Sequence, residues 1–233
     1  MKQNSVYKLA KKVYLALIHF RCDMLRKPLI PQIENFFDIL MGGGNCQSIS
    51  DLSIISPNCF AGRIMQDLKL KYNSPTLGLY FMYPDYIEFL QNLRFYLTEA
   101  KIQFVEHSKY PLGDERRAKW SHWYPIGLLD GKVEIHFLHY HTEKEAAEKW
   151  YRRASRVNFE NLFIIGMQQN FCTEKDIIDF DLLPYENKIM FSTIPIPLPS
   201  NEYMPEFGST DNVGDPYRKA HLFYRHLISH FLK

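Results

Sequence analysis

At 233 residues the chain is long enough to bury a sizeable core as one large domain, and its 46% hydrophobic and 15% aromatic content supplies the apolar surface for one. A net charge of +2 gives no global attraction to nucleic acid, so any anion site must be local. Cys22, Cys46, Cys59 and Cys172 stand far apart with no C-x-x-C pair, which argues against a disulfide framework or a cysteine zinc site and points to a reducing cytoplasm.

No apolar run approaches the length of a transmembrane helix. From Val6, the residues Leu9, Ala10, Val13, Leu17 and Phe20 recur at helical spacing, with Lys8, Lys11, Lys12 and Arg21 between them. This amphipathic helix can pack on the domain, or dock on an anionic membrane surface or an assembly partner. Pro28 and Pro31 end it, a second helix runs to about Leu40, and Gly42-Gly43-Gly44 makes a flexible connection. Residues 1–48 thus form an N-terminal helical segment.

The apolar pair Ile54-Ile55 ends in Ser56-Pro57-Asn58, and Cys59 opens a helix through Leu68. Thr76 to Tyr83 reads as a strand, Pro84-Asp85 starts a helix through Leu97, and Ile102 to Glu106 is another strand. Ser108 to Ser121 is a polar excursion. Tyr124 to Leu129 and Lys132 to His139 are strands joined by Asp130-Gly131, a tight-turn signal for an antiparallel hairpin. Thr142 caps a helix to about Ser155, and the apolar run Asn161 to Met167 suits a strand covered on both faces. A short helix from Thr173, a strand from Lys188 to Thr193, a Pro-rich tract from Pro195 to Pro216 and a helix from Tyr217 to Leu232 complete the chain. The expected fold is a three-layer α/β/α domain over residues 49–195 with a mixed, mainly parallel sheet, followed by an irregular tract and a helix over 196–233.

Ligands of open α/β sheets bind beyond the carboxyl ends of the parallel strands. That rule selects Asn58 with Cys59, Asp85, the group His139, Tyr140 and His141, the stretch Gln168-Gln169-Asn170, and Thr193. It rejects Asn73-Ser74-Pro75, which precedes its strand. Cys59 at a helix N-terminus is placed as a nucleophile, with the N–H groups of Cys59 and Phe60 as an oxyanion site and His139 or His141 as its base. Buried free cysteine also serves as a small hydrophobe. His136, on the opposite strand face from His139, reads as a hydrogen-bonded structural residue. Histidines spaced i,i+2 without a further ligand do not make a metal site, and no cofactor is indicated. Arg152, Arg153 and Arg156 end the helix after Thr142, either as a solvated terminus or as anchors for a phosphate or sugar diphosphate.

Five ordered motifs carry a family resemblance: Ile55-Ser56-Pro57-Asn58-Cys59-Phe60-Ala61-Gly62, Tyr72 to Leu79, Tyr124-Pro125-Ile126-Gly127, His136-Phe137-Leu138-His139-Tyr140 and Lys149-Trp150-Tyr151-Arg152-Arg153. Over roughly residues 50–195 the chain resembles the bacterial family called domain of unknown function 1919, whose members are labelled exopolysaccharide biosynthesis proteins. The resemblance implies a role in cell-surface polysaccharide or capsule assembly and marks Asn58, Cys59, Gly62, His139, Tyr140, Trp150 and Arg153 as family positions. Where the family pattern has Asn-Asn-Cys-Trp-Gly-Gly, this chain has Pro57 to Gly62, and its often acidic stretch is here Gln168-Gln169-Asn170. An acid needed there would leave this chain altered or inactive.

Two activities follow as expectations. One is acyl transfer or acyl hydrolysis through a Cys59/His pair, with a sugar or polysaccharide precursor and an acyl donor as partners. The other is a glycosyltransferase-like or nucleotide-sugar-binding role that holds a diphosphate through Asp85, Arg152, Arg153 and Arg156, with Cys59 merely packed; in either case Asn58, Phe60, Tyr140 and Asn170 are expected to contact substrate. A non-catalytic assembly partner is the third reading.

Overall fold

The computed structural model describes residues 2–42, 49–208, 210 and 212–231, so Cys46 and the Gly43-Gly44 part of the glycine run lie outside the described residues. The chain begins with helices α1 (Lys2–Arg26) and α2 (Ile30–Gly42), then β1 (Ser53–Ile55), α3 (Phe60–Asp67), α4 (Tyr83–Gln91) and α5 (Leu93–Thr98). It continues with β2 (Ile102–Val105), α6 (Pro111–Lys119), β3 (Ile126–Leu129), β4 (Val133–His136) and α7 (Glu143–Ala154). The last elements are β5 (Leu162–Met167), α8 (Glu174–Asp181), β6 (Lys188–Ser192), β7 (Asn201–Tyr203) and α9 (Ala220–Phe231).

The fold is α/β with an N-terminal helical extension, as expected, and its parallel and antiparallel strands are divided between two sheets. A four-stranded sheet of order β1-β5-β6-β7 is parallel throughout, with Ile54 opposite Phe163, Ile165 opposite Ile189 and Phe191 opposite Glu202. A three-stranded sheet of order β2-β3-β4 is antiparallel, with Phe104 opposite Gly127 and Gly127 opposite Ile135. The hairpin signal was sound: Asp130 and Gly131 take φ of 49° and 69°, the left-handed pair that a tight primed turn requires.

Side chains alternate across the parallel sheet. Ile54, Phe163, Ile165, Ile189 and Phe191 face a core shared with α2, α3 and α9, where Phe37, Phe60, Phe223 and Leu227 are fully buried. Ile55, Ile164 and Met190 face a second core with Tyr86 and Phe89 of α4, Phe180 of α8 and, further out, Trp150 of α7. The continuous apolar run of β5 is explained by this two-sided burial. Gly166 is required there, because a Cβ would stand 2.5 Å from Met190 Sδ and 2.9 Å from Tyr83 Oη.

The expected strand from Thr76 to Tyr83 is instead an extended strap between the sheets. Tyr80 forms an isolated antiparallel bridge with His136 of β4, and Phe81 N–H donates to the Pro57 carbonyl beyond β1 at 2.9 Å. One strap therefore bonds to both sheets without belonging to either. The expected helix over 84–97 is broken at Asn92 into α4 and α5, and the polar excursion after Ser108 contains α6.

Candidate functional site

The carboxyl edge of the parallel sheet gathers the amides that the sequence placed there, and they bond to one another. Asn58 Nδ2 donates to Gln169 Oε1 at 2.9 Å, and Gln168 Oε1 accepts from Thr193 N and Oγ1 at 2.7 and 2.9 Å. The Pro-rich tract closes over them: Val213 N donates to the Gln168 carbonyl at 3.1 Å, and Gln169 Nε2 donates to the Gly214 carbonyl. The edge is knitted shut by its own polar groups, as buried amides require. Asn73-Ser74-Pro75, rejected as a site, is structural: Ser74 Oγ meets Thr76 Oγ1 at 3.0 Å, and Thr76 Oγ1 accepts from Ser56 N at 3.2 Å.

Cys59 is the N-cap of α3 and half-buried, as its position in the sequence suggests. Its electrostatics run against the nucleophile reading. Burial pushes the thiol up to about 11, against the lowering by hydrogen bonds to the Gly78 and Leu79 backbone, and the charge of Asp215 adds to the rise. Sγ donates to the Leu79 carbonyl at 3.8 Å, and no histidine bonds it among the described residues. The oxyanion site is also partly taken. Phe60 N donates to Asn58 Oδ1 at 3.0 Å and Ala61 N to Ser56 Oγ at 3.1 Å, so the first turn of α3 is capped by local side chains. The Phe60 ring lies in the core against Phe223 and Tyr224, at centroid distances of 5.3 and 5.9 Å, with no exposed surface for a substrate.

His139 meets the same strap residue as Cys59, its N–H donating to the Gly78 carbonyl at 2.9 Å, but its ring and that of His141 pack against other aromatic rings. His139 stands edge-on to Trp120 with centroids 6.3 Å apart, and His141 meets His122 at 4.6 Å. His122 Nε2 is held 3.2 Å from the Leu138 carbonyl. Trp120 and His122, the rings that His139 and His141 touch, line an open groove of about 380 Å³ together with His107, Asp114, Arg117 and Trp123. Trp120 and Trp123 are 42% and 52% exposed, unusual for such large apolar rings. Asp114 orders the floor: it accepts from Arg117 Nη2 at 3.0 Å and from Ser108 N at 3.1 Å, and lies 3.4 Å from His107 Nδ1. Partial burial lowers the His139 pKa and the nearby His122 lowers it further, so the imidazole is neutral at pH 7 and able to accept a proton.

Sequence reasoning left this groove out by treating residues 108–121 as an excursion. Two signals were present: Pro111 with Asp114 in a first turn and Arg116, Arg117 and Lys119 in a last turn describe a helix, and two tryptophans follow it in polar surroundings.

The remaining predicted residues are dispersed. Asp85 is buried at the start of α4, where it accepts from Lys109 Nζ at 2.6 Å and from Glu134 N at 3.0 Å. Burial raises its pKa, and the Lys109 bond opposes the rise. Arg153 Nη1 donates to the Tyr140 hydroxyl at 2.5 Å, and that hydroxyl donates to the Leu77 carbonyl at 2.5 Å, so both residues hold the strap. Arg152 is exposed on α7. Asp85 and the arginines therefore bond to separate partners, without the convergence that a diphosphate site needs. Asn170, at φ 52°, ties three elements: its amide donates to the Phe81 carbonyl at 3.0 Å, its carbonyl accepts from Tyr83 N at 2.8 Å, and its Oδ1 accepts from Arg116 Nη1 at 2.6 Å.

Beside Asp85 lies a buried network that the sequence did not suggest. Glu134, with no exposed surface, accepts from Ser108 Oγ at 2.5 Å and Lys109 N at 2.7 Å and meets His136 Nε2 at 2.8 Å. Burial pushes its carboxyl up, but the bonds from His136, Ser108 and Lys109 outweigh that and hold it below its ordinary range. His136 is buried as a structural residue, stacked on Tyr80 at 4.4 Å. Among the described residues, no group of three or more His, Cys, Asp or Glu side chains is placed to hold a metal ion.

The model of the family described as domain of unknown function (DUF1919) matches residues 46–232. The chain belongs to that family. The match extends past the motif-bearing stretch through the whole of α9, so the helix that closes the first core is part of the family's unit. An uncharacterized protein of Haemophilus influenzae is 41% identical over 165 residues, covering 70% of this chain and 73% of the relative.

Proposed function

We propose that the protein binds and modifies a saccharide of a cell-surface polysaccharide in the groove between α6 and the segment 120–123 that follows it. The observation that carries this reading is the pair of exposed tryptophans, Trp120 and Trp123, in a groove otherwise lined by His107, Asp114, Arg117 and His122. A sugar ring has an apolar face of C–H groups and a rim of hydroxyls. An indole face suits the first, and charged or imidazole side chains suit the second. His139, edge-on to the groove's Trp120 and neutral at pH 7, takes a proton from a sugar hydroxyl and so prepares it for group transfer. Acyl or glycosyl transfer to that hydroxyl fits this chemistry equally, and the pathway rests on the label that accompanies the family resemblance. Cys59 has no part in it, since its thiol is protonated and bonded to the Leu79 carbonyl.

Titration with a panel of capsule and exopolysaccharide oligosaccharides, read by intrinsic tryptophan fluorescence, tests the assignment. Trp120→Ala and Trp123→Ala should each weaken binding roughly tenfold, as expected when a stacked ring is lost. Binding that survives both substitutions unchanged, or no fluorescence response to any saccharide, would remove the groove from consideration.

A further inference from the structure

We infer that α1 is a surface anchor for an anionic lipid bilayer. The helix carries two stripes of opposite fate. Leu15, Ile18, Cys22 and Arg26 are partly or fully covered and recur at inner-face spacing, and the helix packs on α9. Arg26 bonds to Asp67, and Tyr224 of α9 donates to the same carboxylate at 2.7 Å, which locks the inner stripe onto α3 and α9. The outer stripe is apolar and open: Val13, Leu17, Phe20 and Met24 are 52%, 62%, 65% and 60% exposed, with Tyr14 beside them at 63%. Apolar residues at 13, 17, 20 and 24 lie within one narrow arc of a helix, so they form a continuous ridge.

Charge selects the occupant. Lys11, Lys12, Arg21 and Lys27 are exposed on or just after the helix. Its acid, Asp23, is already engaged by Arg26 at 3.0 Å and lies 3.8 Å from Arg63. An apolar ridge with the exposed cations Lys12 and Arg21 to either side matches acyl chains below anionic headgroups, where long basic side chains reach outward to phosphate. A second copy of the chain would bring the same cations together. The helix lies on the surface rather than crossing it, since no helix among the described residues is long and apolar enough to span a bilayer. This places a saccharide-handling chain beside a membrane.

The full chain is sedimented with phosphatidylcholine vesicles lacking or containing phosphatidylglycerol. It should pellet with the anionic vesicles and be released when salt is raised to about 0.5 M. Leu17→Asp combined with Phe20→Asp should lower partitioning roughly tenfold or more, and Lys12→Glu with Arg21→Glu should do the same, with circular dichroism and melting temperature unchanged. Failure of the wild-type chain to pellet with anionic vesicles overturns the inference, as does equal binding to both kinds of vesicle. A Leu17→Asp/Phe20→Asp variant that splits a wild-type dimer without affecting lipid binding overturns it too.

Discussion

Cys59 illustrates what a single residue's chemistry owes to its surroundings. The helix N-terminus favours a thiolate by its partial positive charge, a contribution of about 1 kcal/mol or less in the first turn. Burial works in the opposite direction, with the charge of Asp215 adding to it, and wins even against the lowering by the Gly78 and Leu79 backbone bonds, raising the thiol to about 11. At pH 7 about one thiol in ten thousand is then ionised. Alkylation of Cys59 by iodoacetamide is therefore expected to be slower than that of an unperturbed thiol at pH 7 and to accelerate steadily up to about pH 11, as peptide mapping of the modified protein would show. Rapid labelling at neutral pH would reinstate a nucleophile. The strand-to-helix junction at Cys59 was legible in the sequence because it depends on neighbours within a few residues. The desolvation was not, because it depends on how the folded chain packs around the thiol.

At the scale of elements, α9 is fastened to β7 by histidine–carboxylate pairs. His226 Nδ1 lies 2.7 Å from Glu202 and its Nε2 3.0 Å from Glu206, while His230 Nδ1 meets Glu202 at 2.9 Å. The bond to Glu202 raises the His226 pKa, burial opposes it, and Glu206 adds to the rise. A raised histidine pKa stabilises the fold fully below its unfolded value, and that stability is lost as pH climbs through the folded value. Glu206 acts in the other direction: burial raises its pKa, the His226 bond outweighs this, and the net lowering gives stability that is lost as pH falls through the folded carboxyl value. The melting temperature should thus be highest between the carboxylate and histidine ranges and fall as pH rises past neutrality. His226→Gln should flatten the alkaline decline and cost about 1–3 kcal/mol at pH 6, a drop of several degrees in a thermal melt. An unchanged pH profile would dissociate His226 from that stability. None of this pairing was visible in the sequence, where the carboxylates lie in the irregular tract, whereas α6 was signalled by its own termini.

For the whole molecule, the two sheets are joined by the strap over 77–82, by α4 and by the buried Glu134 cluster. Tyr86 of α4 donates to the Ile165 carbonyl at 2.7 Å, and Asp85 of the same helix accepts from Glu134 N on β4. Elements that share one core and one polar network should unfold together. Glu134→Gln breaks a buried, fully bonded charge, which is expected to destabilise by about 3–5 kcal/mol. Denaturant unfolding should show a single transition moved to lower concentration, followed in parallel by tryptophan fluorescence and far-UV circular dichroism. Two separated transitions would mean that the hairpin sheet folds by itself. The sequence by itself determined the α/β class, most of the helices, the Asp130-Gly131 hairpin and the doubly covered β5, since each is written in local periodicity, capping and turn chemistry. Only the tertiary structure decided that the hairpin forms a second sheet, and that the His139 and His141 rings pack against Trp120 and His122. The physical reason is that strand pairing is fixed by packing between distant segments, whereas a strand's own residues specify only that it will pair.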